Sequence, residues 1–322
     1  MMSDWTLRRF RQGDDELVVA LWNATLTGDP ISPALFRRQT LLDPSFRPEG
    51  CLLAERGAEA VGFTLAVAPA EAGPQRLFAA GRGTGRIAAL GVLPATRGRG
   101  IGGALLDAAA GFLRERGCGR VVVAAHEYYA AGVDKARYAA GLAFLQKRGF
   151  VERAEAVAMG RELYDLEWPD AVRETEARLL DEGIEIRYFD HDATLGLADY
   201  FRAEFPTWVE FFIKKLDAGH PLDEMVIATH GERVVGYCQH LDADHVGPFG
   251  VAAAYRGRGI GTVMLYRLLD RMRQKGYKFA WFGETGRARH YYERAGFRVT
   301  RVYAVLGRDL ERPADSLQSP PT

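Results

Sequence analysis

The chain has 322 residues, 48% hydrophobic and 26% charged, which is ordinary for a soluble globular protein and long enough for two domain cores. Its 42 basic residues balance its 42 acidic ones, so no overall field draws it to nucleic acid or to an anionic membrane, and any anion site must be local. Cys51, Cys118 and Cys238 are odd in number and lack CxxC spacing, which argues against a disulfide framework or a zinc site and fits a reducing cytoplasm.

The opening MMSDWTLRRFRQGDDE has no apolar signal core, and no window approaches 18 apolar residues, so neither export nor membrane spanning is expected. An apolar strand pair, CLLAERGAEAVGFTLAV, is followed by LGVLPATRGRGIGGALL at Leu90 to Leu106. The second stretch returns as FGVAAAYRGRGIGTVML at Phe249 to Leu265, offset by 159 residues, with its own strand pair MVIATHGERVVGYCQHL before it. A Gly-Phe pair closes each copy, Gly149-Phe150 and Gly296-Phe297. A repeat this long is a duplicated domain rather than a solenoid unit.

Between the copies, Trp168 to Gly183 combines Val172, Leu179 and Leu180 with many charges, and reads as a connecting helix with a proline start and a glycine stop. The expected layout is therefore a first domain over 1–167, a linker helix over 168–183, a second domain over 184–310 and a disordered tail over 311–322. In the second copy the pattern predicts a strand at Ile184 to Phe189, helices at Ala193 to Phe205 and Thr207 to Leu216, and strands at Met225 to His230, Arg233 to Leu241 and Val246 to Val251. A helix over Ile260 to Lys275, a strand at Lys278 to Phe282 and a helix at Arg287 to Arg294 follow, and two strands, Phe297 to Thr300 and Val302 to Leu306, close the domain. Leu105, Leu106, Ala109, Phe112 and Leu113 mark the matching helix of the first copy. Intermixed strands and helices give an α/β (α+β) fold of two tandem domains, each with a central sheet flanked by helices.

In each copy a strand runs through Arg-Gly-Arg-Gly-Ile-Gly directly into a helix, so unclaimed backbone N–H groups and the positive helix end converge on one anion site. Gly98, Gly100 and Gly102, with Gly257, Gly259 and Gly261, allow the sharp turn and the close approach of phosphate oxygens. Arg97, Arg99, Arg256 and Arg258 add charged donors suited to phosphate. The dinucleotide pattern fails for want of an acidic residue closing a second strand, and the triphosphate pattern for want of Gly-Lys-Ser/Thr. The diphosphate of another cofactor remains.

Here the sequence resembles the GCN5-related N-acetyltransferase (GNAT) family, whose signature (Arg/Gln)-x-x-Gly-x-(Gly/Ala) is matched by Arg97, Gly100 and Gly102, and by Arg256, Gly259 and Gly261. The resemblance covers nearly the whole chain twice, as in two-domain members such as mycothiol synthase. It implies a mixed, mostly antiparallel sheet in each domain and acetyl-CoA as cosubstrate. It also implies pyrophosphate contacts from Gly98, Arg99, Gly257, Arg258 and Ile260 beside the signature residues. The strand ends Leu90 to Val92 and Phe249 to Val251 look like the family's splayed strand, whose free backbone groups pair with the pantetheine arm.

Family members often carry a tyrosine four residues before the Gly of the late Gly-Phe pair, where it protonates the departing thiolate. Tyr292 holds that place in the second copy and Leu145 in the first, and leucine cannot donate a proton. Tyr291 is its immediate neighbour. The resemblance thus implies an acetyl-CoA-dependent N-acetyltransferase acting on a primary amine of a small molecule or peptide, with chemistry in the second domain. The first domain would bind CoA without turnover, and the whole would be a cytoplasmic monomer or homodimer with no nucleic-acid or membrane partner. A sensor that binds CoA without catalysis, or a different acyl donor, are the alternatives.

Val251 N–H is the candidate donor to the thioester carbonyl. An amine of pKa about 10 is mostly protonated at neutral pH, so a base is needed. Glu284 is the first candidate, with His245, Asp244, His240 and Glu210 as rivals. Trp208, Phe211, Phe212, Trp281 and Phe282 are candidates to line an acceptor groove, and Glu204, Glu210, Asp242 and Asp244 to attract a cationic amine.

Overall fold

A computed structural model describes residues 4–69, 83–123, 130–217, 219–240, 244–283 and 288–310, the side chains of Glu210, Phe211 and Lys214 excepted. The expected base Glu284, the acidic candidate Asp242 and the expected disordered tail lie outside these residues. The chain folds into two compact units, Met1–Ala156 with Val302–Thr322, and Val157–Arg301.

In the first unit, strands β1 (Thr6–Arg9), β2 (Cys51–Arg56), β3 (Glu59–Val67) and β4 (Thr84–Val92) form an antiparallel run. Strand β5 (Arg120–Val123) lies parallel to β4. Helices α1 (Asp15–Thr25) and α2 (Pro33–Phe36) bury Val18, Trp22 and Phe36 with Phe63 and Leu65. Helix α3 (Ile101–Glu115) buries Leu106, Ala109 and Leu113 in a second core with Val121 and Phe150. A two-residue strand β6 (Val133–Asp134) and helix α4 (Ala139–Lys147) precede β7 (Val151–Glu162).

The second unit repeats the plan. Helix α5 (Asp170–Asp181) packs on β8 (Ile184–Tyr188), and helices α6 (Thr194–Glu204) and α7 (Val209–Asp217) lead into β9 (Met225–His230), β10 (Arg233–His240) and β11 (Val246–Val251). These strands form an antiparallel sheet in the order β11-β10-β9-β8. Helix α8 (Ile260–Gln274) buries Val263, Met264, Leu265, Leu268, Leu269 and Met272. Because α6 and α8 both pack on β10, that strand is buried from Val234 to His240, a run too apolar for a strand with one wet face. Strand β12 (Phe279–Phe282), helix α9 (Arg289–Arg294) and strand β13 (Arg298–Asp309) complete the chain.

The division differs from a cut at a linker. The last strand of each copy is one long strand whose two parts serve different units. Met159 to Glu162 at the end of β7 pair with β12 in the second unit. In β13, Tyr303 and Ala304 pair with β6, and Leu306 to Asp309 pair with β5, in the first unit. The two short strands expected between Phe297 and Leu306 are one 12-residue strand, since nothing at Arg301 turns the chain. The helix expected as a linker is α5, with Val172 and Leu179 buried, an integral part of the second unit.

Candidate active site

Among the described residues strand β4 pairs with β5 as far as Ile87↔Val123 and with β3 as far as Gly62↔Val92. Leu93 N–H donates to Val61 at 2.9 Å, so the alternation of an antiparallel strand turns the N–H groups of Val92 and Leu90 to the edge away from β3. In the second unit a parallel bridge, His245↔Trp281, joins the start of β11 to β12. Ala252 N–H donates to Val235 at 2.8 Å, which turns the N–H groups of Val251 and Phe249 to the edge away from β10. The four residues expected to face a pantetheine arm thus present their backbone N–H groups on these edges.

Each strand runs through one 3₁₀ turn into its glycine loop. Gly98 and Gly100 have φ of 78° and 83°, Gly257 and Gly259 of 78° and 89°, a left-handed backbone that carries a side chain only under strain. The first helical bond of α3 is Ala104 N–H to Gly100, and of α8 Val263 N–H to Gly259, so the N–H groups of Ile101 to Gly103 and of Ile260 to Thr262 have no intrahelical acceptor. These donors, at a positive helix end, are what a diphosphate requires.

The four arginines divide into two pairs. Arg97 donates from Nε to Val92 O at 2.9 Å and Arg256 to Val251 O at 3.0 Å, so each ties its loop to the strand end. Arg99 and Arg258 are held from behind by the segment ahead of their unit's first strand. Trp5 donates to the Arg99 carbonyl at 3.1 Å while Asp4 pairs with its side chain at 3.4 Å. Arg178 donates to the Arg258 carbonyl at 2.7 Å while Glu182 pairs with its side chain; that bond, then the one from Arg178, holds the Glu182 carboxyl below its usual range. Neither buttress shows as a motif in the sequence.

Tyr292 is 6% exposed, its ring 4.1 Å from that of Phe282 and 6.2 Å from that of Phe249 on β11. Burial pushes its phenol well above the usual range, so it is a protonated donor at any physiological pH. Leu145 is buried at the corresponding place of α4.

Tyr291, the neighbour of Tyr292, lies against the glycine loop. Its hydroxyl lies 3.4 Å from where a Gly261 Cβ would stand, with Val251 Cγ2 at 3.6 Å. In the first unit Phe144 and Val92 flank Gly102 in the same way, at 3.6 and 3.7 Å. The Tyr291 hydroxyl is buried beside Thr262 without ordinary hydrogen-bond geometry, and burial pushes the phenol up. Setting the two Gly-Phe endings side by side, Phe144 over Tyr291, is the signal that picks this residue out.

Of the other candidates, Asp244 accepts from Trp281 Nε1 at 2.7 Å, and His245 stacks on the same indole at 4.2 Å. Glu204 accepts from Ala253 N–H at 3.1 Å. His240 is buried, 3.5 Å from Glu224, which Lys215 also binds at 2.8 Å. Phe212 and Phe282 belong to the core. Trp208 is half-buried, stacked on Phe205 at 3.9 Å, and the pair covers Gly250.

The acetyltransferase (GNAT) family model matches the chain twice, over residues 17–150 and 162–297. The chain belongs to the GNAT family, as a tandem two-domain member. Solved structures agree in fold. A GCN5-related glucosamine N-acetyltransferase region of a fungal multi-domain GH3 β-N-acetylglucosaminidase superposes with a TM-score of 0.76 at 20% identity, over 96% of this chain and 38% of the other, so the chain spans well under half that protein's length. A GCN5-related N-acetyltransferase from Sphaerobacter thermophilus gives 0.67 at 19% identity, over 98% and 99%. A tandem GNAT protein from the clavulanic acid biosynthesis pathway gives 0.63 at 16%, over 97% and 100%. No protein of curated function matches. Membership in this GNAT family supports N-acetyltransfer to an acceptor substrate as the chain's activity, with acetyl-CoA the family's usual donor.

Proposed function

We propose that the second unit transfers the acetyl group of acetyl-CoA to a primary amine of a small molecule or peptide by direct attack. The first unit holds CoA and does not turn it over. The observation that carries this reading is Tyr292 against Leu145: both units have a strand leading into the glycine loop, and at this place in the late helix the second has a phenol where the first has leucine. When bound, acetyl-CoA supplies an activated acyl carbon and a thiolate leaving group.

The N–H groups of Ile260 to Thr262 and the outward part of the Arg256 guanidinium bind its pyrophosphate. Val251 N–H, directed to the edge away from β10, donates to the thioester carbonyl oxygen where negative charge develops. The Tyr292 phenol gives its proton to the departing sulfur. The same backbone geometry in the first unit, with Leu145 in place of a donor, supports binding without chemistry there.

Mass spectrometry of the cofactor released from the purified protein, together with thiol release from acetyl-CoA over a panel of amines, tests the reading. Recovery of acetyl-CoA or CoA and amine-dependent thiol release are expected. Recovery of NAD or FAD, or CoA-dependent thermal stabilisation with no turnover on any amine, would overturn it.

A further inference from the structure

We propose that the second unit selects an acceptor amine that also carries a neutral oxygen, a hydroxyl or a carbonyl, and that the Gln239 amide is the group that binds it. The inference rests on the acetyl transfer proposed above. Gln239 is fully buried on β10, and its Nε2 makes no hydrogen bond among the described residues. Its Oε1 accepts from the Tyr237 hydroxyl at 2.6 Å, and Tyr237 is buried as completely.

The direction of that bond fixes which atom is left over. Burial raises the Tyr237 phenol well above its usual range, so its proton is there to be donated. With the phenol donating to Oε1, only Nε2 lacks a partner. Turned over, the amide would donate to the phenol oxygen and leave both Oε1 and the phenolic proton unmatched. The open group is therefore a donor, and its complement is an oxygen. A carboxylate does not fit, because burying a charge beside an uncharged amide costs far more than burying a hydroxyl or a carbonyl. Lys215, the buried cation of α7, is already held by Glu224 and the His240 carbonyl, each at 2.8 Å.

The duplication shows that the fold does not need this pair. Gly62 pairs with Val92 and Gly236 with Val251, and Val92 and Val251 hold the same place in the repeat. That register sets Phe63 on Tyr237 and Leu65 on Gln239, and both are fully buried. An unmade hydrogen bond in the interior is costly, whereas an apolar pair of similar shape is not. The second unit carries the costly version, which a bound oxygen completes.

The pair also lies beside the proposed chemistry. Tyr237 pairs with Gly250, the residue before Val251. Its ring packs on those of Phe201 and Phe212, at 5.0 and 6.4 Å, so it and Gln239, two residues on, face helices α6 and α7. Gly250 presents the same face, where Phe205 and Trp208 cover it. No residue of the Pro206–Trp208 turn is buried, and an acceptor enters from that corner.

The test uses the full-length protein, acetyl-CoA and three amines: glucosamine, which offers hydroxyls, glycine methyl ester, which offers a carbonyl, and benzylamine, which offers neither. The unaltered protein should favour one or both oxygen-bearing amines over benzylamine by about 10-fold or more in kcat/KM, and the better of the two identifies the oxygen. Tyr237→Phe with Gln239→Leu, the pair of the first unit, should abolish that preference, a loss of about 10-fold or more. The loss should lie in KM for the acceptor, with KM for acetyl-CoA unmoved and the melting temperature no lower. Gln239→Met, which keeps the length of the side chain, should abolish it alike. No preference in the unaltered protein overturns the proposal. So does a preference that both variants keep, or one lost together with a raised KM for acetyl-CoA, since either marks a core residue only. If the unaltered protein binds CoA but acetylates none of the three amines, the acetyl-transfer reading fails first and takes this one with it.

Discussion

Arg256 donates from Nε to the carbonyl of Val251 at 3.0 Å, so the residue that opens the glycine loop is locked to the last residue of β11. Lysine could keep the charge but not both contacts, because its ammonium is a point charge without the planar fork. Arg256→Lys should therefore weaken CoA binding by about 10- to 100-fold, the worth of one charge-assisted hydrogen bond. Calorimetry in a Gly100→Glu background, where a carboxylate blocks the first loop, reads the second loop alone. Undiminished affinity would assign Arg256 to solvent.

The two N-cap glycines predict unequal tolerance. Both are left-handed, so alanine costs each about 1–2 kcal/mol of backbone strain. At Gly100 nothing lies within 4 Å of the new methyl, whereas at Gly259 it would stand 2.5 Å from Thr175 Cγ2 on α5. Gly259→Ala should lose about 1–3 kcal/mol more than Gly100→Ala, the usual cost of overpacking. Urea melts followed by hydrogen exchange in α3 and α8 would show it, and equal losses would mean that α5 yields freely.

Lys215 and Glu224 form a buried pair, 3% and 6% exposed, joined at 2.8 Å. Burial alone would raise the Glu224 carboxyl, but the Lys215 hydrogen bond, the His240 and Lys215 charges and the Lys275 bond outweigh it and push the carboxyl down to about 2. A carboxyl depressed in the folded state stabilises above its unfolded pKa of about 4.3, and that stability is lost as the pH falls toward 2. Lys215→Met should cost about 1.5–3 kcal/mol at neutral pH, the worth of a hydrogen bond to a charged group, by removing the carboxylate's closest partner and leaving it to Lys275 at 3.2 Å and His220 at 3.3 Å. Thermal melts against pH should show acid unfolding of the second unit beginning at higher pH in the variant. An unchanged acid limb would contradict the pairing.

Truncation after Arg301 should unfold the first unit although its removed residues lie at the far end of the sequence. It deletes the strand paired with β5 and β6, and takes Ala304, Leu306 and Leu310 out of the core shared with α3. Each large aliphatic lost from a core costs about 2–5 kcal/mol, against a total stability of about 5–15. Hydrogen exchange at the β5 amides should become unprotected, and full protection would refute the exchange of strands.

That exchange marks where the sequence stops being legible. Helix α8 and strand β11 follow from local apolar spacing and from the glycine loop, and the chain shows them almost to the residue. Which unit a strand joins depends on partners far along the chain, and the alternation of Val302, Ala304 and Leu306 is the same in either. The site divides in the same way. The loops, the strands that lead into them and Tyr292 are motif residues in consecutive runs, and they stand out from the duplication. The Arg178 and Glu182 buttress, the Trp281 platform under His245 and the approach of Tyr291 to Gly261 are contacts between residues distant in sequence, and no local pattern encodes them.

The central claim is that chemistry belongs to the second unit through Tyr292, and one substitution reaches it directly. Its hydroxyl makes no hydrogen bond among the described residues, so Tyr292→Phe removes the proton donor and little of the packing. Steady-state thiol release with saturating acetyl-CoA should fall in kcat by about 100-fold or more, with KM for acetyl-CoA nearly unchanged. An unchanged kcat would contradict the account and move the chemistry to another residue or to the first unit.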